Sequence, residues 1–219
     1  MNYIFLGLFA VFSAIHLYYS WIHEPKWRAR TKPFLLLFLL LYYVTTASPV
    51  HIVLVLALFT SWLGDVLLIP KGHKWFTMGG ISFLISHILF IAVYVRRIHL
   101  PSAEWILVAL AGLVYIGISV WVMNSVKANT PKSMVVPMSL YLFTNSAMNL
   151  FALLQLMSLK NTGAAVAFAG AVLFFASDCT LFLVRYHDNK NMVFRKHFTV
   201  MLTYLLAEFL ITFGMILIG

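Results

Sequence analysis

Charged residues are scarce in this sequence, and acidic residues are scarcer still. Only 10% of the 219 residues are charged, and only six are Asp or Glu, whereas a soluble domain carries about 25% charged residues. Hydrophobic residues make up 63% of the chain. This composition excludes an ordinary water-soluble domain and predicts an integral membrane protein.

The sequence also lacks the short motifs of several function classes. Cys179 is the only cysteine, so no internal disulfide can form. There is no phosphate-binding glycine loop, no dinucleotide-binding glycine pattern and no nucleophile elbow. The 15 Lys and Arg residues lie in connecting segments without an interleaved aromatic stripe, so we expect no nucleic-acid partner.

What the sequence has instead is eight apolar segments with lengths near the 20 or so residues that a membrane-spanning helix needs. No basic residue precedes the first segment, which begins at Tyr3, so we predict a retained helix and not a cleaved signal peptide. The predicted fold class is all-α, with one transmembrane domain over residues 1–219 built as a bundle of eight helices. The predicted helices lie near residues 3–21, 32–47, 50–69, 75–95, 103–123, 133–157, 163–184 and 197–218. The second is predicted to be the shortest.

Basic residues are distributed unevenly among the connections. Twelve of the 15 Lys and Arg residues fall between helices 1 and 2, 3 and 4, 5 and 6, or 7 and 8. Cytoplasmic connections carry an excess of Lys and Arg. The predicted orientation therefore places these connections in the cytoplasm and both termini outside it, in an inner or plasma membrane.

Two halves of the sequence resemble each other. Residues 81–89 of helix 4 and 202–210 of helix 8 are similar at nearly every step, and helices 3 and 7 each carry an Asp near their end. This predicts two four-helix repeats in parallel orientation, an arrangement known among membrane proteins. The repeat pairs Asp65 with Asp178, and His87 with Glu208.

Three of the six acidic residues lie inside predicted helices, namely Asp65, Asp178 and Glu208. A charged side chain at the bilayer centre costs about 2.5–3.5 kcal/mol on insertion scales, so such a residue is a functional hypothesis by default. Helices 3 and 7 run in the same direction, so we expect Asp65 and Asp178 at similar depth. The alternative is a structural role, in which both acids clamp neighbouring helices together.

Two acids at the same depth in the membrane could act together in acid–base catalysis. Two carboxyl groups close together in a medium of low dielectric constant do not both ionise easily, which leaves a protonated acid beside a carboxylate. That combination provides a general acid and a general base. Asp65 and Asp178 are therefore the predicted catalytic residues.

Further polar residues inside the predicted helices could wall a cavity around this pair. Tyr141 and Asn145 on helix 6, and Tyr204 and Glu208 on helix 8, are each four residues apart and so share a helix face. Together with His87 they form the predicted cavity wall, with interhelical hydrogen bonding as the alternative. No spacing of His residues indicates three converging ligands, so we expect no metal site.

Several short motifs in this order resemble the YhhN family, the lysoplasmalogenases, which are membrane enzymes of eight helices. They run from helix 2 to helix 8 and read Lys32-Pro33, Leu63-Gly64-Asp65-Val66-Leu67-Leu68, Ser82-Phe83-Leu84-Ile85-Ser86-His87, Leu173-Phe174-Phe175-Ala176-Ser177-Asp178-Cys179-Thr180-Leu181 and Arg185-Tyr186. The resemblance implies hydrolysis of the vinyl ether bond of a lysoplasmalogen to a fatty aldehyde and a glycerophospho-ethanolamine or -choline. It carries the two Asp motifs of the family onto Asp65 and Asp178.

These residue types suit that chemistry. A vinyl ether opens when its β carbon is protonated, and the oxocarbenium ion then takes up water. One Asp would deliver the proton, and the other would stabilise the cation and activate the water, with no cofactor. The lysophospholipid substrate would come sideways from the bilayer, and Lys32 and Arg185 could bind its phosphate. The alternative for these two basic residues is anchoring at the membrane interface.

Two other function classes fit part of the sequence. Parallel repeats and intramembrane acids also describe proton-coupled transporters, although no predicted helix has the central break typical of that class, apart from the one containing Pro137. A structural subunit would carry polar groups scattered along its helices, whereas here they gather at one depth.

Overall fold

The computed structural model describes residues 3–189 and 191–219, and this part of the chain contains eight α-helices and no strand. The all-α prediction is therefore confirmed. The helices are α1 (Tyr3–Trp21), α2 (Pro25–Thr46), α3 (Ile52–Leu67), α4 (His73–Val95), α5 (Trp105–Val126), α6 (Lys132–Leu159), α7 (Thr162–Tyr186) and α8 (His197–Ile218).

Helix α2 differs most from the apolar pattern, because it begins at Pro25 and not near residue 32. Proline is favoured in the first turn of a helix. The first turns of α2 are basic and precede the apolar segment from which the helix was predicted. A prediction from apolar segments finds only the part of a helix that lies in the hydrocarbon layer, so it misses a helix start made of polar residues. The shortest helix is therefore α3, with 16 residues, and not α2, which has 22.

Six helices in the described residues are long and apolar enough to cross a membrane, namely α1, α4, α5, α6, α7 and α8. The chain is thus a multi-pass membrane protein. α2 falls outside this group because its first turns are polar, and α3 falls outside it because it is short.

One end of the bundle, which we call the basic end, gathers the connections after α1, α3, α5 and α7. There Trp21 packs edge-on against Phe198 with ring centroids 5.1 Å apart, and the Asn129 amide donates to the Tyr186 carbonyl and to the Asp188 carboxylate. Of the 14 Lys and Arg residues that the structure describes, 11 lie within or beside these four connections.

The opposite end joins the last residues of α4, α6 and α8. The backbone N–H of His99 donates to Ser158 Oγ at 2.8 Å, and the Arg97 guanidinium donates to the carbonyl of Gly219. Helices α4, α6 and α8 therefore end together, opposite the basic end.

Helices α7 and α8 approach each other closely at glycines. A Cβ atom on Gly214 would lie 2.6 Å from the Ala167 nitrogen and 2.6 Å from the Gly163 oxygen, and one on Gly170 would lie 2.7 Å from the Ile211 nitrogen. Small residues of this kind let helix backbones pack together in membranes. The contact fixes α8 against α7, which carries Asp178.

Helices α3 and α4 form a similar close pair. A Cβ atom on Gly64 would lie 2.7 Å from the ring of Phe83, and the hydroxyls of Ser61 and Ser86 are 2.6 Å apart. Ser82 also donates to the carbonyl of Thr60 at 2.7 Å. These contacts hold the last turns of α3, including Asp65, against α4.

Helix α5 lies at the periphery of the bundle, where only Tyr115, Val122 and Val126 of its residues are buried. α7 is buried along most of its length and lies at the centre. The buried acid Asp178 therefore lies on the central helix, and the other helices surround it.

Candidate active site

A pocket of about 310 Å³ opens at the basic end between α2, α3, α4, α7 and α8. Asp65 and Asp178 both line it, so the fold brings the two acids to one cavity. Its other lining residues include four basic side chains, Arg28, Lys32, Lys71 and Arg185. The cavity is therefore positively charged at its mouth and acidic inside.

Asp65 is almost completely buried and has a partner for each carboxylate oxygen. The ammonium of Lys32 lies 3.1 Å from Oδ1, and the hydroxyl of Tyr204 donates to Oδ2 at 2.9 Å. α2 is held in place for this contact by Trp62 of α3, whose indole N–H donates to the Pro33 carbonyl at 2.7 Å. Asp65 is thus an ion-paired carboxylate.

Asp178 has a different environment. Tyr141 and Asn145, which share a face of α6, donate to its Oδ2 at 2.8 and 2.7 Å. His87 Nε2 lies 3.5 Å from the same oxygen. Among the described residues no hydrogen bond reaches Oδ1, so this second oxygen is available to the pocket.

His87 and Glu208 lie deeper, and both are fully buried. Edge contacts with Tyr141 and Phe174, at centroid distances of 5.1 and 4.9 Å, hold the imidazole of His87. Within the described part of the chain, neither imidazole nitrogen and neither carboxyl oxygen of Glu208 makes a well-formed hydrogen bond. Ser61 lies close enough to Glu208 to interact with it, and both Asp residues act on it electrostatically.

Aromatic rings form the apolar wall of the site. Phe83 packs edge-on against Tyr204 with centroids 5.8 Å apart, and Phe174 packs on Tyr204 at 5.6 Å. A carboxyl group against such rings is poorly solvated, which strengthens its interactions with any charge that enters the pocket.

The arrangement supports acid–base chemistry. One carboxyl faces an ammonium, the other receives hydrogen bonds from a phenol and an amide, and both reach one cavity. Paired carboxyl groups in unlike environments divide into a proton donor and a proton acceptor. Across residues 3–189 and 191–219, no three His, Cys, Asp or Glu side chains are arranged to hold a metal ion.

The predicted site residues take different places. Asp65, Asp178, Lys32, Tyr204 and Arg185 line the pocket directly. Tyr141, Asn145 and His87 reach it through Asp178, and Glu208 lies behind them. Lys32 is engaged by Asp65 rather than free at the mouth, and the Arg185 guanidinium stacks on the Phe76 ring at 3.8 Å.

Sequence reasoning missed Arg28, Lys71, His16 and His197, which also line the pocket. Arg28 and Lys71 belong to the group of basic residues that indicated orientation, and nothing in their spacing separated a pocket role from an interfacial one. His16 is placed by the hydroxyl of Thr31, 2.8 Å from its Nδ1, a contact between helices that spacing does not predict.

Comparison with known proteins gives one match. The YhhN family model matches residues 27–215, which is most of the chain and includes both Asp residues of the pocket. No curated protein and no solved structure matches the chain.

Proposed function

Since the chain belongs to the YhhN family, we propose that it is a membrane-embedded hydrolase that cleaves the vinyl ether bond of lysoplasmalogens. The products are a fatty aldehyde and a glycerophospho-ethanolamine or -choline. The observation that carries the proposal is the shared pocket of Asp65 and Asp178, whose different partners suit them to different steps.

Asp178 is the proton donor in this proposal. Its hydrogen-bond donors Tyr141 and Asn145 are neutral and engage one oxygen, so a proton can sit on the other, Oδ1, which is available to the pocket. Transfer of that proton to the β carbon of the vinyl ether forms a C–H bond and leaves an oxocarbenium ion. Asp178 is then a carboxylate, and its negative charge stabilises the cation.

Asp65 is the base that activates water. Its ion pair with Lys32 keeps it as a carboxylate, so it can accept a proton as water adds to the oxocarbenium carbon. The resulting hemiacetal collapses when Asp65 returns this proton to the ether oxygen and the hemiacetal hydroxyl gives its proton to Asp178. The C–O bond breaks, aldehyde and alcohol leave, and both acids regain their starting states.

The basic mouth of the pocket suits the phosphate of such a substrate. Arg28, Lys71 and Arg185 line it without an ion pair among the described residues. Guanidinium groups bind phosphate in a forked geometry, and Lys binds it as a point charge. Lys32 serves Asp65 in this arrangement and lies between the phosphate position and the carboxylates.

We also propose that α2 and α3 span the membrane, for eight spans in total. At 1.5 Å per residue, 22 and 16 residues extend about 33 and 24 Å, and bilayers adjust to short helices by thinning. Phe12 of α1 packs on Phe38 of α2 with centroids 5.1 Å apart, and Ser61 of α3 contacts Ser86 of α4. With the basic end in the cytoplasm, both termini are then outside it.

The internal repeat is a further part of the proposal. Phe83 and Tyr204 occupy corresponding positions of the two halves and contact each other edge-on, as positions close to a pseudo-two-fold axis do. Each Asp also has a neighbour from the other half, because Tyr204 binds Asp65 and His87 lies beside Asp178.

The direct test offers detergent-purified protein a lysoplasmalogen and traps the released fatty aldehyde. A lysolipid with a saturated ether in place of the vinyl ether is the control, because it has no double bond whose carbon can be protonated. In heavy water, protonation by Asp178 should place one deuterium on the carbon next to the aldehyde. The deuterium that free aldehyde gains by exchange in the same buffer is measured separately and subtracted. Absence of aldehyde, or equal cleavage of the saturated ether, would overturn the proposal.

A proton-coupled transporter is the second candidate, favoured by polar groups that continue past the pocket. Tyr94 and Thr212 are fully buried, and in the described residues their hydroxyls have no hydrogen-bond partner. Tyr94 also interacts electrostatically with Glu208. Proton flux into vesicles containing the protein, driven by a solute gradient and without aldehyde release, would favour this function over hydrolysis.

A further inference from the structure

A second cavity of about 340 Å³ lies beside the pocket, between α4 on one side and α6 and α7 on the other. We call it the lateral groove. Its lining side chains are apolar apart from Thr77 and Tyr141. Along α6 it runs from Met134 to Tyr141, a distance of about 10 Å at 1.5 Å per residue. A cavity of this chemistry accepts hydrocarbon and not a polar solute.

The lateral groove is open to the side of the bundle. Ile81 of α4 and Val136 and Leu140 of α6 line it and are exposed. These helices are membrane spans, so the exposed side chains face lipid. A hydrocarbon chain can therefore enter the groove from the bilayer without crossing water.

The groove also shares part of its wall with the acidic pocket. Leu68, Phe76, Phe83 and Leu181 line both cavities. Tyr141 lines the groove, and its hydroxyl donates to Asp178 at 2.8 Å. The inner wall of the groove is therefore the wall of the site that holds the two carboxyl groups.

We propose that the lateral groove binds the hydrocarbon chain of a single-chain phospholipid whose phosphate lies at the basic mouth of the pocket. This inference rests on the proposed function and adds the chain-binding subsite to it. The apolar groove, the two carboxyl groups and the basic mouth follow one another in the order of the parts of such a lipid: chain, vinyl ether, phosphate. Charge complementarity selects this occupant, because an anionic headgroup fits Arg28, Lys71 and Arg185.

Gly80 allows the subsite to be tested without disturbing the helix packing. It lines the groove, and a Cβ atom built there would meet nothing within 4 Å. A Leu at this position therefore projects into empty space and shortens the groove. Gly117 on α5 is the matched control, because a Cβ atom there also meets nothing within 4 Å and the residue lines neither cavity.

The experiment compares wild type, Gly80→Leu and Gly117→Leu on lysoplasmalogens of increasing chain length, with Gly80→Ala as a milder variant. Gly80→Leu should lower kcat/KM for long chains at least about tenfold more than for short ones, since a filled apolar pocket rejects extra methylenes by about 10–200-fold. Gly80→Ala should do so less, and Gly117→Leu should keep the wild-type profile. An unchanged profile in a folded, active Gly80→Leu variant overturns the subsite.

A binding experiment separates failure of the subsite from failure of the proposed function. A lysophospholipid with a photoactivatable group at its chain end should label residues 76–84 and 134–141 of the wild-type protein, and labelling should fall in Gly80→Leu. Unlabelled lysophospholipid should compete, whereas a diacyl phospholipid should not. Labelling elsewhere, or equal competition by the diacyl lipid, overturns the subsite whether or not any vinyl ether is hydrolysed. Specific labelling without hydrolysis of any vinyl ether retains the subsite and rejects the proposed reaction.

Discussion

The phenol of Tyr204 on α8 donates a hydrogen bond to Asp65 on α3, although 139 positions separate them in the sequence. The same ring packs edge-on against Phe83 and Phe174. Tyr204 therefore joins the base of the proposed reaction to the aromatic wall of the pocket. Its hydroxyl and its ring contribute separately, and a substitution can remove one without the other.

Tyr204→Phe should keep the ring and lose the hydrogen bond to Asp65. Hydrogen bonds to charged groups contribute about 1.5–3 kcal/mol, so kcat/KM for lysoplasmalogen should fall roughly tenfold to a hundredfold. Tyr43→Phe is the control, because the Tyr43 hydroxyl accepts a hydrogen bond from the backbone N–H of His51 at 3.0 Å, outside the pocket. Equal losses in the two variants would contradict a specific role for Tyr204.

Asp65→Asn and Asp178→Asn should each abolish most of the hydrolysis. A general acid or base contributes about 10²–10⁴-fold, and residues that act as a unit are not additive, so the double variant should lose little more. The pH profile of the wild type should be bell-shaped, with limbs that belong to the coupled pair. The measurement is the initial rate of aldehyde release.

Glu104→Gln provides the control for this pair, because Glu104 is an exposed acid before α5 and should be dispensable. Correct membrane insertion is checked by extraction and size-exclusion chromatography. Wild-type turnover in either Asn variant would return Asp65 and Asp178 to the role of helix clamps.

Exhaustive chelation should leave hydrolysis intact. The proposed steps need only two carboxyl groups and water, and the described residues offer no cluster of three His, Cys, Asp or Glu side chains for a metal ion. The rate is measured before and after dialysis against a chelator. Loss of turnover that one divalent ion restores would make the acid–base mechanism wrong.

Gly214→Ala should destabilise the bundle. Its methyl group would lie 2.6 Å from backbone atoms of Ala167 and Gly163 on α7, and overpacking of this kind costs about 1–3 kcal/mol. The Tm of the purified protein in detergent should fall. Gly7→Ala on α1, where a Cβ atom meets nothing within 4 Å, should leave Tm unchanged or slightly raised.

A reporter fused after Gly219 should be active outside the cytoplasm. The last residues of α8 lie at the end opposite the basic end, since Arg97 donates to the Gly219 carbonyl, and Lys- and Arg-rich connections stay in the cytoplasm. A second fusion in the connection between α3 and α4 should report the cytoplasm. Reversal of both signals would reverse the proposed orientation.

The sequence predicted those features that depend on local periodicity. Apolar length located the helices, and the four-residue spacing of Tyr141 and Asn145 indicated one helix face, which now proves to present both donors to Asp178. It did not predict that Lys32 pairs with Asp65, because that pairing depends on how α2 packs against α3. The polar start of α2 was not predicted for a different reason, because hydrophobicity does not indicate a helix that begins outside the hydrocarbon layer.

The cavities could not be predicted from the sequence. The lateral groove exists because Gly80 and its neighbours leave a gap between α4 and α6, and a gap depends on the distance between helices rather than on the periodicity of either one. For the same reason the basic residues Arg28 and Lys71 gave no sign of lining a pocket. Their spacing fits an interfacial anchor equally well.

The exchange of neighbours between the two halves has a consequence for a divided chain. Tyr204 and Asp65 lie on opposite sides of the connection between α4 and α5, and so do His87 and Asp178. A protein cut in this connection would yield one fragment with Asp65 and another with Asp178, and each Asp would lose a neighbour that lies on the other fragment. Neither fragment should hydrolyse a lysoplasmalogen alone. Activity should return when both are made in the same membrane, so the release of aldehyde would report their association.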